Sequence, residues 1–229
     1  MVWGGAEAVS ALRQMADPSI RLVEWGHKIS FAYVTSDGIT EHQLTGLARH
    51  IALTGQLLCS SCQGIFIDTD DRAVVDAFCI QFLPVLEAAV QDYVEQLGIG
   101  IRSQLALQLY HEQLETLYQD QKIYKAAHCS LIARSDQVLE PAIRFGNAWV
   151  KGLPRTELLS VLRPYKNYLQ TAGLLCGADE TDELVQLLWR ASVLRVCPAE
   201  RMSGTYNGAP HDGEFALRRY TRIVSFEQD

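Results

Sequence analysis

Gly55-Gln56-Leu57-Leu58-Cys59-Ser60-Ser61-Cys62-Gln63-Gly64-Ile65-Phe66-Ile67-Asp68, residues 55–68, carries the chain from a helix through a short loop into a buried strand. Upstream, Thr40 is an N-cap candidate for a helix over residues 41–53, with Leu44, Leu47, Ala48 and Ile51 on one face. Thr54-Gly55 ends that helix, and the run from Gly64 to Asp68 reads as a buried strand. Cys59 sits in the loop between them, flanked by the small residues Ser60 and Ser61.

The same alternation continues on both sides. Met1 to Trp3 reads as a strand end, residues 6–15 as a helix stopped by Asp17-Pro18, and residues 20–23 and 29–34 as strands. Ser36-Asp37-Gly38 reads as a turn. Residues 72–97 form a long helical pattern interrupted at Pro84, followed by a helix over residues 101–118. Weaker strands fall near residues 130–133 and 148–150, and a helix over residues 155–162 follows. Residues 168–175 read as extended, Thr181 caps a helix to about residue 189, and residues 193–196 read as a strand. A Gly/Pro/Asn-rich loop over residues 203–213 leads to an expected terminal strand over residues 216–226. Strands alternating with helices predict an α/β fold with an open, largely parallel sheet.

The chain has 229 residues, 48% hydrophobic and 21% charged, with net charge -7. These values describe an ordinary globular protein and carry no clustered basic patch for nucleic acid or anionic lipid. No stretch reaches the roughly 18 uninterrupted apolar residues that span a bilayer. Six cysteines are too few for a disulfide scaffold, so the expected setting is cytoplasmic, with reduced thiols. Cys59 and Cys62 form a CxxC without the second pair or nearby histidines that a zinc site uses, which leaves a redox pair or plain loop cysteines.

A cysteine nucleophile needs exposure on a rigid loop, availability as thiolate, and donors facing the oxyanion it creates. The Cys59 loop offers the first, and the Cys59 backbone N–H is a natural oxyanion donor. A buried loop cysteine without a role is the alternative that the loop alone leaves open.

Several stretches then carry a resemblance. Val2-Trp3-Gly4-Gly5-Ala6-Glu7 looks like a strand-Gly-helix segment beside a nicotinamide, and Glu24-Trp25-Gly26-His27-Lys28 like Glu-Leu-Gly-Gly-Lys. Gln56 to Gln63 looks like Gln-x-x-Cys-Ser-Ser-Pro-Gln. Tyr168-Leu169-Gln170-Thr171-Ala172-Gly173 and Pro210-His211-Asp212-Gly213 look like Tyr-Leu-Gln-Thr-Val-Gly and Pro-His-Asp-Gly. In that order, with Glu24 placed 35 residues before Cys59, they resemble the bacterial fatty acyl-CoA reductases of the LuxC type, in the aldehyde dehydrogenase superfamily. Cys62 stands in place of a proline, which predicts a less rigid loop, and His27 in place of a glycine.

The resemblance implies an NADP(H)-dependent reduction of a fatty acyl-CoA or acyl thioester to the aldehyde, through a thioacyl intermediate on Cys59. Glu24 would be an acid/base or proton relay if burial raised its pKa. Gly4 and Gly5 would let the cofactor approach closely. Ser60, Gln170 and Thr171 would shape the substrate side, and His211 and Asp212 would sit on a loop over it. Glu140 is a weaker match to a glutamate that meets the nicotinamide ribose. The resemblance also implies residues 1–34 as a remnant of the dinucleotide-binding domain and residues 35–229 as the catalytic domain with its C-terminal strand. Family members carry a long further stretch before the point matching Met1, and this sequence has no GxGxxG and no P-loop. The alternative is therefore a truncated or split catalytic domain that works only with a partner chain. A homo-oligomer and an esterase-like activity of the cysteine domain complete the expectations.

Overall fold

A computed structural model describes residues 1–35 and 38–228. The expected turn at Ser36-Asp37 lies outside the described residues. Two compact units emerge, Ile29–Gly204 and Met1–Lys28 with Thr205–Asp229. The strand Ile29–Val34 belongs to the larger unit, in the middle of its sheet.

The larger unit is built around β3 (Ile29–Val34) and β4 (Cys62–Ile67), whose residues are all buried. Side chains alternate across a strand. Ala32, Val34, Ile65 and Ile67 therefore enter one core cluster, while Phe31, Tyr33 and Phe66 enter another on the opposite face. The first core is closed by α2 (Glu41–Thr54) and α3 (Arg72–Glu95), through Leu47, Ile51, Phe78, Phe82 and Leu86. The second is closed by α5 (Leu158–Leu162) and α6 (Thr181–Arg190), through Leu158, Leu162, Leu184 and Leu188. Burial on both faces is why these strands read as apolar runs.

The strand order is β5-β6-β7-β4-β3-β8-β9, with β5 (Gln121–Lys125), β6 (Ser130–Arg134), β7 (Asn147–Gly152), β8 (Leu169–Leu175) and β9 (Arg195–Pro198). Every pair is parallel except β5 with β6. The expected α/β class and largely parallel sheet are the observed ones. The edge strand β5 escapes the sequence reading because Gln-Lys-Ile-Tyr-Lys is half polar and has no apolar run.

α2 begins on a capping box. Thr40 Oγ1 accepts from the Gln43 N–H at 3.2 Å, and Gln43 Oε1 accepts from the Thr40 N–H at 2.9 Å. The expected break at Pro84 does not occur: α3 runs through it for 24 residues. The ring costs one helical hydrogen bond, and the fully buried Phe82 and Leu86 on either side hold the helix continuous. α3 is also long and apolar enough to cross a membrane by length and composition, yet its buried stripe lies in the core described above. α4 (Ile99–Glu115) follows it.

In the smaller unit, β1 (Val2–Trp3) pairs parallel with β2 (Glu24–Trp25), and α1 (Ala6–Met15) lies between them in sequence. The strand expected over residues 20–23 is displaced to β2, because the two-residue β1 registers Val2 on Glu24. The expected terminal strand is also corrected. Ala216–Tyr220 is a helix, α7, and residues 221–228 have no regular structure. Ile223, Val224 and Phe226 find no strand to pair with among the described residues and stay exposed. Instead Arg219 stacks over the Trp25 ring at 4.3 Å and Arg21 donates to the Thr221 carbonyl at 2.7 Å.

Gly64 faces the Trp149 ring across the β4–β7 pair, and an added Cβ would lie 2.0 Å from that ring. Gly64→Ala should lower stability to urea by about 2–3 kcal/mol through overpacking. A midpoint unchanged from wild type would contradict this placement of Trp149.

Candidate functional site

The loop that carries Cys59 is held from both ends by buried polar groups. Gly55 and Gln56 take φ of 54° and 60°, left-handed values that turn the chain sharply out of α2. The Gln56 side chain is 2% exposed. Its Nε2 donates to the Cys62 carbonyl at 3.1 Å, its Oε1 accepts from the Gly146 N–H at 3.1 Å, and its own carbonyl accepts from Gln63 Nε2 at 3.0 Å. Ser61 Oγ accepts from the Leu58 N–H, and the Ser61 N–H donates to the Leu58 carbonyl, both at 3.0 Å. The Cys62 N–H donates to His50 Nε2 at 3.2 Å. Ser60 Oγ meets Ser203 Oγ at 2.9 Å.

Cys59 itself is half-buried and its thiol is free. Its carbonyl accepts from Ser30 Oγ at 2.7 Å. Neither the Cys59 nor the Ser60 N–H has a hydrogen-bond acceptor among the described residues. The arrangement offers one accessible thiol on a fixed turn beside two uncommitted backbone donors.

Cys62 is no partner for it in redox chemistry. Burial pushes the Cys62 thiol up to about 12, and its Sγ donates to the Gly64 carbonyl at 3.2 Å inside the core. Nor does Cys62 in place of proline leave the loop loose, because side-chain bonds to the backbone restrain it instead. His50 is 4% exposed, and burial, assisted by the nearby Arg195 charge, lowers its pKa to about 4. It is therefore neutral, which its acceptor role toward the Cys62 N–H requires.

Gln170 and Thr171 lie buried at the start of β8, beside β3. The Thr171 N–H donates to Ser30 Oγ at 3.0 Å, so this segment reaches Cys59 through one hydroxyl. Glu140 is occupied by cations: its Oε1 accepts from Lys151 Nζ and from Arg134 Nη1, each at 2.6 Å. A cleft of about 390 Å³, lined by Val94, Arg102, Leu105, Leu109 and His128, opens elsewhere in this unit, and Cys59 is not among its lining residues.

The other expected site residues belong to the smaller unit. Glu24 pairs with Arg13, whose Nε donates to Glu24 Oε1 at 2.9 Å and whose Nη2 engages Oε2. That hydrogen bonding holds the carboxyl below the ordinary range, so the condition set for a donating role, a pKa raised by burial, is not met. Gly4 donates its N–H to the Trp25 carbonyl at 3.2 Å, and Gly5 caps α1. A Cβ built on Gly5 would meet nothing within 4 Å. His211 and Glu214 bond to each other through both backbone pairs, closing a tight turn with Asp212 at φ 49° and Gly213 at φ 82°. An Asp-Gly pair is what such a turn, with two left-handed central residues, selects. The turn sets the His211 ring against Trp25 at 4.8 Å and Trp3 at 5.6 Å.

Sequence reasoning missed Ser30, His50, Gln56 and Gln63 as supports of the loop. The one available signal was a pair of glutamines bracketing the cysteine; the partners Gly146 and Thr171 are far away in sequence.

Residues 1–223 match the family described as acyl-CoA reductase (LuxC). No curated protein matches the chain. Among solved structures, a mutant of the proline utilization A protein of Bradyrhizobium japonicum aligns with TM-score 0.67 and 14% identity, over 96% of this chain and 25% of that one. The Δ-pyrroline-5-carboxylate dehydrogenase of Mycobacterium tuberculosis aligns with TM-score 0.59 and 12% identity, over 99% and 50%. An indole-3-acetaldehyde dehydrogenase complexed with NAD+ aligns with TM-score 0.64 and 12% identity, over 91% and 46%. The likeness is one of fold, that of aldehyde dehydrogenase domains, and the chain spans between a quarter and a half of those proteins' length.

His50 makes stability depend on pH in a defined window. Below pH 6.5 the unfolded chain binds a proton that the folded chain refuses until about pH 4. The contribution of neutral His50 is thus complete above pH 6.5 and is lost as pH falls toward 4, by about 3 kcal/mol. Urea unfolding at stepped pH should show that decline, and His50→Gln should remove its share of the slope. An identical pH profile in the variant would contradict a neutral buried His50.

Proposed function

The chain belongs to the acyl-CoA reductase (LuxC) family, and on that basis we propose that Cys59 accepts the acyl group of an acyl-CoA or acyl thioester in its NADPH-dependent reduction to the aldehyde. The observation that carries the reading is the accessible Cys59 thiol on a turn fixed by Gln56, Ser61 and His50, with the Cys59 and Ser60 N–H groups uncommitted beside it.

The Cys59 thiolate adds to the thioester carbonyl, and the negative charge formed on oxygen is met by backbone N–H groups. Collapse expels the CoA thiolate and leaves the acyl group as a thioester on Cys59. Reducing that thioester to aldehyde and free Cys59 thiol takes two electrons and two protons, which a reduced nicotinamide and solvent supply when the cofactor is bound. The open space over Gly5 and the unpaired N–H groups of the first turn of α1 fit the close approach of such a cofactor. Glu24, held as a carboxylate by Arg13, suits a proton-accepting role better than a donating one. Ser60 leaves room beside the acyl group, Gln170 lies buried on β8 beside Thr171, whose N–H holds the Ser30 hydroxyl, and the His211-Asp212 turn is a fixed feature of the smaller unit.

Incubation with a long-chain acyl-CoA should give an acyl adduct on Cys59 by peptide mass spectrometry, absent in Cys59→Ala. An unmodified Cys59 in the wild type would sink the reading. Release of aldehyde coupled to NADPH oxidation by this chain alone would separate a self-sufficient reductase from an acyl-accepting part that works with a partner chain.

A further inference from the structure

Ser30 is fully buried, and its hydroxyl joins three segments. It accepts from the Thr171 N–H at 3.0 Å and donates to the Cys59 carbonyl at 2.7 Å. The sheet is irregular at this point. The β3–β8 register shifts between Ile29 and Phe31, and the β3–β4 register shifts between Ser30 and Ala32. The Thr171 amide bonds the Ser30 side chain where the ladder is interrupted. Such irregularities re-aim side chains near active sites.

A hydroxyl has one proton. With Thr171 donating to its oxygen, the Ser30 proton is directed at the Cys59 carbonyl, and that carbonyl points into the protein. A trans peptide is planar, with its C=O and N–H pointing in opposite directions. The Ser60 N–H therefore points outward, away from Ser30, and it has no acceptor among the described residues. The N–H of the residue after a nucleophile is a favourable place for an oxyanion donor. With the peptide reversed, a carbonyl would face the developing charge instead.

We infer that Ser30 is a positioning residue for acyl transfer: its hydroxyl fixes the Cys59–Ser60 peptide so that the Ser60 N–H serves the oxyanion. The inference rests on Cys59 being the acyl acceptor, and its test separates the two. Acylation of Cys59 by a long-chain acyl-CoA and alkylation of Cys59 by iodoacetamide are timed in the same preparations. Alkylation attacks the same thiol but forms no oxyanion. Ser30→Ala should slow acylation by about tenfold to a hundredfold and leave alkylation within about twofold. Ser30→Thr, which keeps the hydroxyl, should recover most of the loss. Ser30→Cys, of similar size with a weaker donor, should show the same split at intermediate strength and serves if the alanine variant does not fold. Equal slowing of both reactions, or acylation at the wild-type rate in Ser30→Ala and Ser30→Cys, would overturn the role of Ser30. No acyl adduct in the wild type would overturn the acyl-acceptor reading and this inference with it.

Discussion

One hydrogen bond, from the fully buried Ser30 hydroxyl to the Cys59 carbonyl, ties the turn that bears the thiol to the centre of the sheet. The rest of the larger unit makes that bond possible. β3 and β4 are buried on both faces by two separate cores, so their ends are fixed in space. Gln56, Gln63 and His50 then satisfy the backbone polar groups that a turn at a sheet end would otherwise bury unpaired. Polar groups buried this way hold a geometry only when each is satisfied. At Cys59 the satisfaction is incomplete on one side: the carbonyl is bonded, while the N–H groups of Cys59 and Ser60 are not. That asymmetry leaves two backbone donors beside the thiol without a partner among the described residues.

The smaller unit shows a different logic. Its contacts are aromatic and cationic: Trp25 meets Trp3, His211 and the Arg219 guanidinium, and its indole N–H donates to the Tyr220 hydroxyl at 3.3 Å. With a two-stranded pairing and one ten-residue helix, this unit has little apolar burial of its own, and Trp25 is its anchor. The Pro-His-Asp-Gly segment earns its sequence here as a left-handed turn that presents His211 to Trp25.

Much of this was legible in the sequence where the signal is local. Thr40 marks the start of α2, Gly55 marks its end, and Ile29 to Val34 is rich in strand formers. The loop position of Cys59, between the end of α2 and β4, was legible as well. What could not be read depends on distant pairing. Ser30 meets Thr171 across 141 residues and Gln56 meets Gly146 across 90. Local pattern also misled where tertiary context decides. Residues 216–226 were expected to form a terminal strand, but no partner strand is present among the described residues, and the Trp25 contacts favour a helical turn. The direction of the Glu24 pKa was not legible for the same kind of reason, since Arg13, eleven residues before it, supplies the dominant interaction.

Amide hydrogen exchange resolved by residue tests most directly the claim that the Cys59 turn is rigid yet keeps free donors. The account predicts slow exchange at the Leu58, Ser61 and Cys62 N–H groups, comparable with β4, and fast exchange at Cys59 and Ser60. Uniformly fast exchange from Gln56 to Cys62 would mean a mobile loop and would contradict it. Protection at Cys59 and Ser60 equal to that of β4 would contradict it equally, because the donors would already be committed.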